Sequence, residues 1–214
     1  MVRILDISPL VSERLPVWPD DTPYRRTVRA SFENGDTSLV SSIETTLHLG
    51  AHADAPGHTV WGAGSIDQQP LAAYYGPCQV LKVSVPEGGR VGPGDLAVEI
   101  AAPRLLLRTD SFPGPERFGT KFAGLSPGLA PWLAERGVVL VGLDTPSIDP
   151  FDDPRLESHL ALAEYRIATL EGLVLRDVAP GFYTLVALPL RLEGADASPV
   201  RAVLVESQGS GVAV

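Results

Sequence analysis

The chain has 214 residues, of which 44% are hydrophobic and 20% are charged, so it is long enough and apolar enough to form a globular protein with a substantial core. Its formal net charge of −9 argues against nucleic acid or an anionic membrane as a partner, and no stretch approaches the roughly 20 apolar residues of a membrane helix. The single cysteine excludes an internal disulfide, and the N-terminus lacks an apolar segment of signal-peptide length, so we expect a cytoplasmic protein.

Short strands separated by turns are predicted for the first part of the chain. A strand at residues 2–7 is followed by a proline-rich segment around Trp18 that cannot form regular structure. Strands are expected at residues 26–32 and 38–47, joined by the Asn-Gly-Asp turn at residues 34–36. Trp18 is either a platform for a substrate or a cover for the edge of the core, and the residues around it favour neither.

Strands and helices alternate in the remainder of the chain. Helices are predicted at residues 94–101, 126–136 and 155–165, and strands at residues 78–85, 104–109, 138–143, 172–175, 182–190 and 200–206. The order strand, helix, strand over residues 104–143 implies a parallel crossover. The prediction is therefore a single α/β domain over residues 1–214, with a mixed sheet or barrel-like core and few helices.

Three of the four histidines lie within residues 48–58, together with Asp54. The glycines and the proline of this segment disfavour a helix, so we expect a shaped loop or a strand that runs into a loop. In an extended chain His48 and His52 would lie about 13 Å apart, too far for two bonds of about 2.0 Å to one zinc ion. If both bind one metal, the chain must bend between them, and Gly50 permits such a bend. His58 could be a further ligand or a free acid and base, and a set of hydrogen-bonded polar loop residues is the alternative to a metal site.

The fourth histidine, His159, and Glu171 form a second possible pair of ligands. One continuous helix would place them about 18 Å apart at roughly 1.5 Å per residue. They could share a metal only if the helix stops near Tyr165 and the chain doubles back. Spacing alone therefore indicates this pair only weakly.

The segment at residues 48–58 resembles the signature H-x-G-x-H-x-D-x-P-x-H of the metal-dependent cyclase-like hydrolases. Further segments are similar to one branch of that family, the bacterial kynurenine formamidases (arylformamidases). These segments cover residues 16–19, 21–23, 105–109, 142–150, 170–173, 187–192 and 198–203. The resemblance therefore extends over nearly the whole chain.

The resemblance implies a swivelling β/β/α fold, a homodimer and two zinc ions per subunit, with manganese as an alternative metal. One zinc would be held by His48, His52 and Asp54, and Asp54 would bridge to a second zinc held also by His159 and Glu171. His58 would donate and accept the proton, and Trp18 would contact the aromatic ring of an aryl formamide substrate. Gly57 and Thr59 stand where this branch usually carries larger side chains, which predicts a roomier substrate cavity.

The activity that the resemblance implies is hydrolysis of N-formyl-L-kynurenine to L-kynurenine and formate. Zinc would activate water by lowering its pKa from about 15.7 to about 7, and His58 would protonate the departing aryl amine. Two alternatives remain, namely a related amidohydrolase that opens a cyclic amide such as isatin, and a metal-binding protein without catalysis.

Overall fold

A mixed sheet of seven strands forms the centre of the fold in the computed structural model, which describes residues 2–114 and 117–206. The strands are β1 (Ile4–Asp6), β2 (Arg25–Ala30), β3 (Val40–Glu44), β4 (His52–Asp54), β5 (Tyr75–Lys82), β6 (Arg90–Val91), β7 (Arg104–Arg108), β8 (Gly124–Leu125), β9 (Leu140–Leu143), β10 (Ala168–Leu170), β11 (Gly181–Val186), β12 (Ala197–Pro199) and β13 (Val203–Val205). The helices are α1 (Leu129–Ala134) and α2 (Glu157–Glu164), the only α-helices in the described part. The predicted class, mixed α/β with few helices, is confirmed.

The strand order of the sheet is β1-β13-β11-β5-β7-β9-β10. Strands β5, β7, β9 and β10 run parallel to one another, whereas β1, β13 and β11 pair antiparallel and β11 also pairs antiparallel with β5. The parallel pairing of β7 with β9, across α1, confirms the predicted crossover. A continuous apolar run is typical of a parallel strand that is covered on both faces, and β7 is such a strand.

Two hydrophobic clusters cover the two faces of this sheet. On β7, Leu106 points into one cluster, while Leu105 and Leu107 point into the other. The second cluster contains the buried apolar side chains of α1 and α2. The first cluster instead contains Ala51, Ala53 and Ala55 from the segment around β4. The histidine-rich segment therefore packs directly against the central sheet, through its small residues.

Strands β2 and β3 form a separate two-stranded ribbon. The predicted turn is present at Gly35, which has a φ of 85°, and both strands are shorter than predicted. Residues directly opposite each other share a face, so Val28 and Ile43 lie on one face of the ribbon together with their partners Ser41 and Arg26. Most of the ribbon is exposed.

Two predicted elements are absent from the structure. The helix expected at 94–101 is only a 3-10 turn, because the Gln79 side chain bonds the carbonyl of Glu99 and the N–H of Ala101. The strand expected at 172–175 forms no ladder, since its first three N–H groups donate to Thr145, Leu143 and Ile7, in three different segments. Strands β6, β8, β10 and β12 were not predicted. No helix among residues 2–114 and 117–206 combines the length and apolarity that a membrane crossing requires.

Candidate metal centre

Gly50 bends the chain between the first two histidines. Its φ is 56°, a left-handed value that glycine adopts without strain, and the expected bend is thereby confirmed. Beyond the bend β4 begins, and its residues alternate in direction. Ala53 faces the core, while the side chains of His52 and Asp54 lie on the opposite side. One short strand therefore supplies two of the candidate ligands.

The helix that carries His159 ends near Tyr165, as a metal shared with Glu171 requires, and the chain then doubles back. Helix α2 ends at Glu164, and Arg166 has a φ of 56°, which reverses the chain into β10. Strand β10 pairs with β9 and ends one residue before Glu171. As a result His159 Nε2 lies 3.0 Å from Glu171 Oε1, so the two residues that spacing linked only weakly are neighbours.

Asp54 lies at the centre of the buried donors. Its Oδ1 is 3.1 Å from His48 Nδ1 and 3.5 Å from His52 Nε2, whereas its Oδ2 is 3.4 Å from His159 Nε2. Glu171 divides in the same way, with Oε1 toward His159 and Oε2 at 3.2 Å from His52 Nε2. The five residues that the resemblance implies as ligands thus form one cluster with Asp54 at its centre.

The three histidines that are candidate ligands each have a hydrogen-bond partner on the side away from Asp54. His48 Nε2 lies 2.9 Å from Asp196 Oδ2, and His159 Nδ1 lies 2.7 Å from Asp149 Oδ2. His52 Nδ1 lies 2.9 Å from the carbonyl oxygen of Gly50. Such outer hydrogen bonds fix the orientation of metal-binding imidazoles. They leave the other ring nitrogen of each histidine directed toward Asp54.

Sequence reasoning missed Asp149 and Asp196 as parts of the site. Asp149 lies within the segment 142–150 that resembles the formamidases, which is a signal that could have found it. Asp196 precedes β12, which pairs with β4 and brings it beside the cluster. No local pattern marks Asp196, because its position depends on a strand pairing far along the chain.

The donor atoms of the cluster fit a divalent metal ion. His52 Nε2 and both oxygens of Asp54 are buried and make no hydrogen bond with protein atoms. Buried polar atoms without partners are costly, so they call for an explanation such as an ion. Imidazole nitrogens and carboxylate oxygens are the donor types that zinc takes. Two sets of donors are close enough to share an ion, namely His48, Asp54 and His58, and His52, Asp54 and Glu171.

The charges of the cluster are interdependent. Burial opposes the charge on His48, but the neighbouring carboxylates Asp54 and Asp196 raise its pKa to about 9. Burial likewise opposes the charge on Asp54, yet the surrounding histidines hold its pKa well below the usual range. His58 differs, because burial outweighs the nearby carboxylates and lowers its pKa. His58 is thus the histidine of the segment most ready to be neutral.

His58 lies beside the cluster on the 3-10 turn Pro56–His58. Its ring centroid is 4.4 Å from that of His48 and 5.8 Å from that of His159, and its Nδ1 is 3.7 Å from Asp196 Oδ2. Its side chain keeps 28% exposure, unlike the buried His52 and His159. This position suits both roles considered from the sequence, a ligand or a proton carrier.

A cavity of about 540 Å³ opens onto the cluster. His48, His52, His58, His159 and Glu171 line one part of it, and aromatic side chains line another. Trp18 both lines the cavity and packs within aromatic residues, with ring centroids 4.9 Å from Phe151 and 5.6 Å from Phe118. The position of Trp18 is therefore consistent both with a platform for a substrate and with a cover for the edge of the core. Phe112 and Phe118 line the same cavity and were missed, because isolated phenylalanines in a loop carry no pattern.

The expectation that Gly57 and Thr59 enlarge this cavity is wrong. Neither residue lines it. A Cβ at Gly57 would lie 3.2 Å from the backbone oxygens of Ala63 and Gly64, so Gly57 faces a neighbouring turn. Thr59 lines a second cavity of about 240 Å³ on the other side of Asp54.

Comparison with known proteins places this arrangement in a family. The Cyclase family model matches residues 5–150. Kynurenine formamidases of Bordetella petrii and Bordetella pertussis are each 45% identical to the chain over 208 residues, which cover 96% of this chain and 99% of those proteins.

Solved structures have the same fold. A structure described as a potential metal-dependent hydrolase with cyclase activity has a TM-score of 0.84 at 27% identity, over 98% of this chain and 100% of that one. Isatin hydrolase A from Labrenzia aggregata has a TM-score of 0.79 at 23% identity, over 95% of this chain and 93% of that one, a likeness of fold alone. With the family model over residues 5–150 and 45% identity to relatives over nearly the full length, the chain belongs to the cyclase family.

Proposed function

We propose that this protein is a metal-dependent amidohydrolase that converts N-formyl-L-kynurenine and water into L-kynurenine and formate. The observation that carries the proposal is the buried cluster around Asp54, which faces a cavity that Trp18 and Phe118 also line. The names of the relatives at 45% identity support the same substrate. The arrangement combines donors for a hydrolytic metal with an apolar surface for an aromatic ring.

Two zinc ions per subunit are proposed, one held by His48, His52 and Asp54 and one by Asp54, His159 and Glu171. The directions of the two Asp54 oxygens support this division, since Oδ1 faces His48 and His52 while Oδ2 faces His159. When bound, zinc supplies Lewis-acid activation of water and of a carbonyl oxygen. Manganese is the alternative, because it accepts similar donors.

The remaining steps fall to the side chains of this chain. His58 is proposed to accept a proton during attack on the formyl carbon and to return it to the departing aryl amine. The lowered pKa of His58 suits it to begin neutral. Trp18 and Phe118 would contact the aryl ring of the substrate, since aromatic pairs favour edge and offset contacts.

Turnover by purified, zinc-supplemented protein tests the proposal. We expect release of L-kynurenine from N-formyl-L-kynurenine, loss of that activity with a chelator, and recovery when zinc is restored. Isatin serves as the second substrate, because isatin hydrolase A shares the fold. Ring opening of isatin without action on N-formyl-L-kynurenine would contradict the assignment. Failure to bind metal would contradict both activities.

A homodimer is also proposed, and the ribbon of β2 and β3 is the surface that favours it. One of its faces carries Val28 and Ile43, which are 46% and 64% exposed. Apolar patches of this kind commonly mark interfaces. Light scattering of the purified protein measures its mass in solution and so distinguishes a monomer from a dimer.

The cytoplasmic location and the single domain over residues 1–214 stay predictions from the sequence.

A further inference from the structure

The proposed substrate is charged at the end away from its formamide. N-formyl-L-kynurenine carries a carboxylate and an ammonium group there, whereas the aryl ring and the formamide are neutral. Apart from the metal cluster, the acidic residues that line the cavity are Asp21, Asp110 and Asp144. They would repel a substrate carboxylate. Among the described residues that line the cavity, Arg176 is the one lysine or arginine.

Most of the N–H donors of Arg176 have no hydrogen-bond partner among the residues that the structure describes. Its Nη2 donates one long hydrogen bond of 3.5 Å to the carbonyl oxygen of Pro113, and no carboxylate in the described part of the chain lies within ion-pair distance of it. A guanidinium group has five N–H donors in a planar fork that matches a carboxylate. Arg108, by contrast, already donates to Asp110 at 2.7 Å.

The acidic residues that line the cavity already make hydrogen bonds or ion pairs with other groups. Asp110 is paired with Arg108 and lies 3.1 Å from Lys82 Nζ. Both oxygens of Asp144 accept hydrogen bonds from Thr109, and one accepts a further bond from the N–H of Asp110. Asp21 Oδ1 accepts a hydrogen bond of 2.7 Å from the N–H of Thr22. Within residues 2–114 and 117–206, Arg176 is thus left without a carboxylate partner.

The number of residues between Glu171 and Arg176 sets an upper limit on the distance from the metal cluster to Arg176. Glu171 and Arg176 are the ends of one segment, and every residue between them lines the cavity. Five residues span at most about 17 Å. N-formyl-L-kynurenine extends roughly 8 Å from its formyl carbon to its carboxylate carbon, at bond lengths of about 1.3–1.5 Å. With a contact at each end, the substrate is shorter than that upper limit.

We infer that Arg176 binds the α-carboxylate of the substrate and makes the protein select aryl formamides that carry an amino-acid group. The inference rests on the proposed function and names a binding residue for its substrate. It predicts that the protein distinguishes N-formyl-L-kynurenine from N-(2-acetylphenyl)formamide, which keeps the ring, the ketone and the formamide but has no charged end.

Steady-state kinetics of both compounds, with wild type and Arg176→Gln, test the inference. We expect the variant to raise KM for N-formyl-L-kynurenine about tenfold, because a charge-assisted hydrogen bond is lost, and to leave KM for the neutral formamide unchanged. Arg176→Lys keeps the positive charge but loses the planar fork of N–H donors. Its KM for N-formyl-L-kynurenine should therefore lie between those of the wild type and Arg176→Gln. Arg136→Gln is the matched control, since Arg136 stacks on Trp132 outside the cavity. Calorimetric binding of L-kynurenine should weaken in parallel, without any turnover.

The outcomes separate the inference from the function on which it rests. Equal effects of Arg176→Gln on both compounds, or no effect on either, would overturn the role of Arg176 while the formamidase activity stands. Failure of the wild type to hydrolyse either formamide would overturn the proposed function, and the role of Arg176 with it. Circular dichroism of the variant separates a lost contact from a lost fold.

Discussion

His52 and Glu171 exchange two backbone hydrogen bonds, with His52 N donating to Glu171 O at 3.1 Å and Glu171 N donating to His52 O at 3.0 Å. Their side chains meet as well, since His52 Nε2 lies 3.2 Å from Glu171 Oε2. The backbone pairing therefore places both donor side chains next to each other. This arrangement depends on how closely the two segments can approach.

Gly172→Ala should disrupt that approach. A Cβ at Gly172 would lie 2.0 Å from the carbonyl oxygen of Gly50, and the φ of Gly172 is 64°. We expect a loss of about 3 kcal/mol or more in the free energy of unfolding, together with weaker zinc binding. Gly137→Ala is the control, because Gly137 has a φ of 71° but open space around it, and it should cost only about 1 kcal/mol. Equal losses by denaturant unfolding would show that the close contact is unimportant.

Asp149→Asn should weaken metal binding without removing a ligand. Asp149 Oδ2 lies 2.7 Å from His159 Nδ1 and so fixes the ring that presents Nε2 to the cluster. Loss of such an outer partner typically costs 10- to 100-fold in metal affinity, roughly the change expected here. Competition with a chelator measures the affinity. Asp153→Asn is the control, since Asp153 pairs with Arg90 but not with His159. A control that loses as much affinity as Asp149→Asn would count against this role.

The same carboxylate predicts an acid dependence of stability in the metal-free protein. Burial raises the pKa of Asp149, but hydrogen bonds from His159 and Arg90 outweigh it and hold that pKa well below the usual range. A depressed folded-state pKa gives stability that is present above the unfolded value of about 3.9 and is lost as the pH falls toward the folded value. The stability difference between wild type and Asp149→Asn should therefore narrow below about pH 4. Urea unfolding at pH 5.5 and pH 3 measures it, and an unchanged difference would contradict the role of the ion pair.

His58→Ala should separate metal binding from turnover. If His58 carries the proton, zinc content stays near that of the wild type while kcat falls by roughly 10²- to 10⁴-fold. His52→Ala is the comparison, because it removes a buried donor and should lower zinc content and activity together. Metal analysis of both variants decides the point. Parallel loss of zinc in His58→Ala would make His58 a ligand, as its proximity to His48 and Asp54 allows.

Much of this architecture could be predicted from local patterns. The apolar run at residues 104–109 and the segment around β9 correspond to neighbouring parallel strands. The bend at Gly50 followed from the distance between two histidines. The prediction of a helix at 94–101 was wrong because the Gln79 side chain, from strand β5, forms hydrogen bonds with backbone groups of this segment. Asp196 could not be found either, because it reaches His48 only through the pairing of β12 with β4.

The alternation along β4 has a consequence for how the protein reaches its active form. Alanines on one side of the strand fill the core, while His52 and Asp54 on the other side face the donors. A slip of one residue in the pairing with β12 would exchange the two sets. The slipped chain would bury charges in an apolar layer and turn methyl groups toward the cavity. Tight metal uptake would thus distinguish correctly paired molecules from misfolded ones, and it could serve as a readout of folding yield.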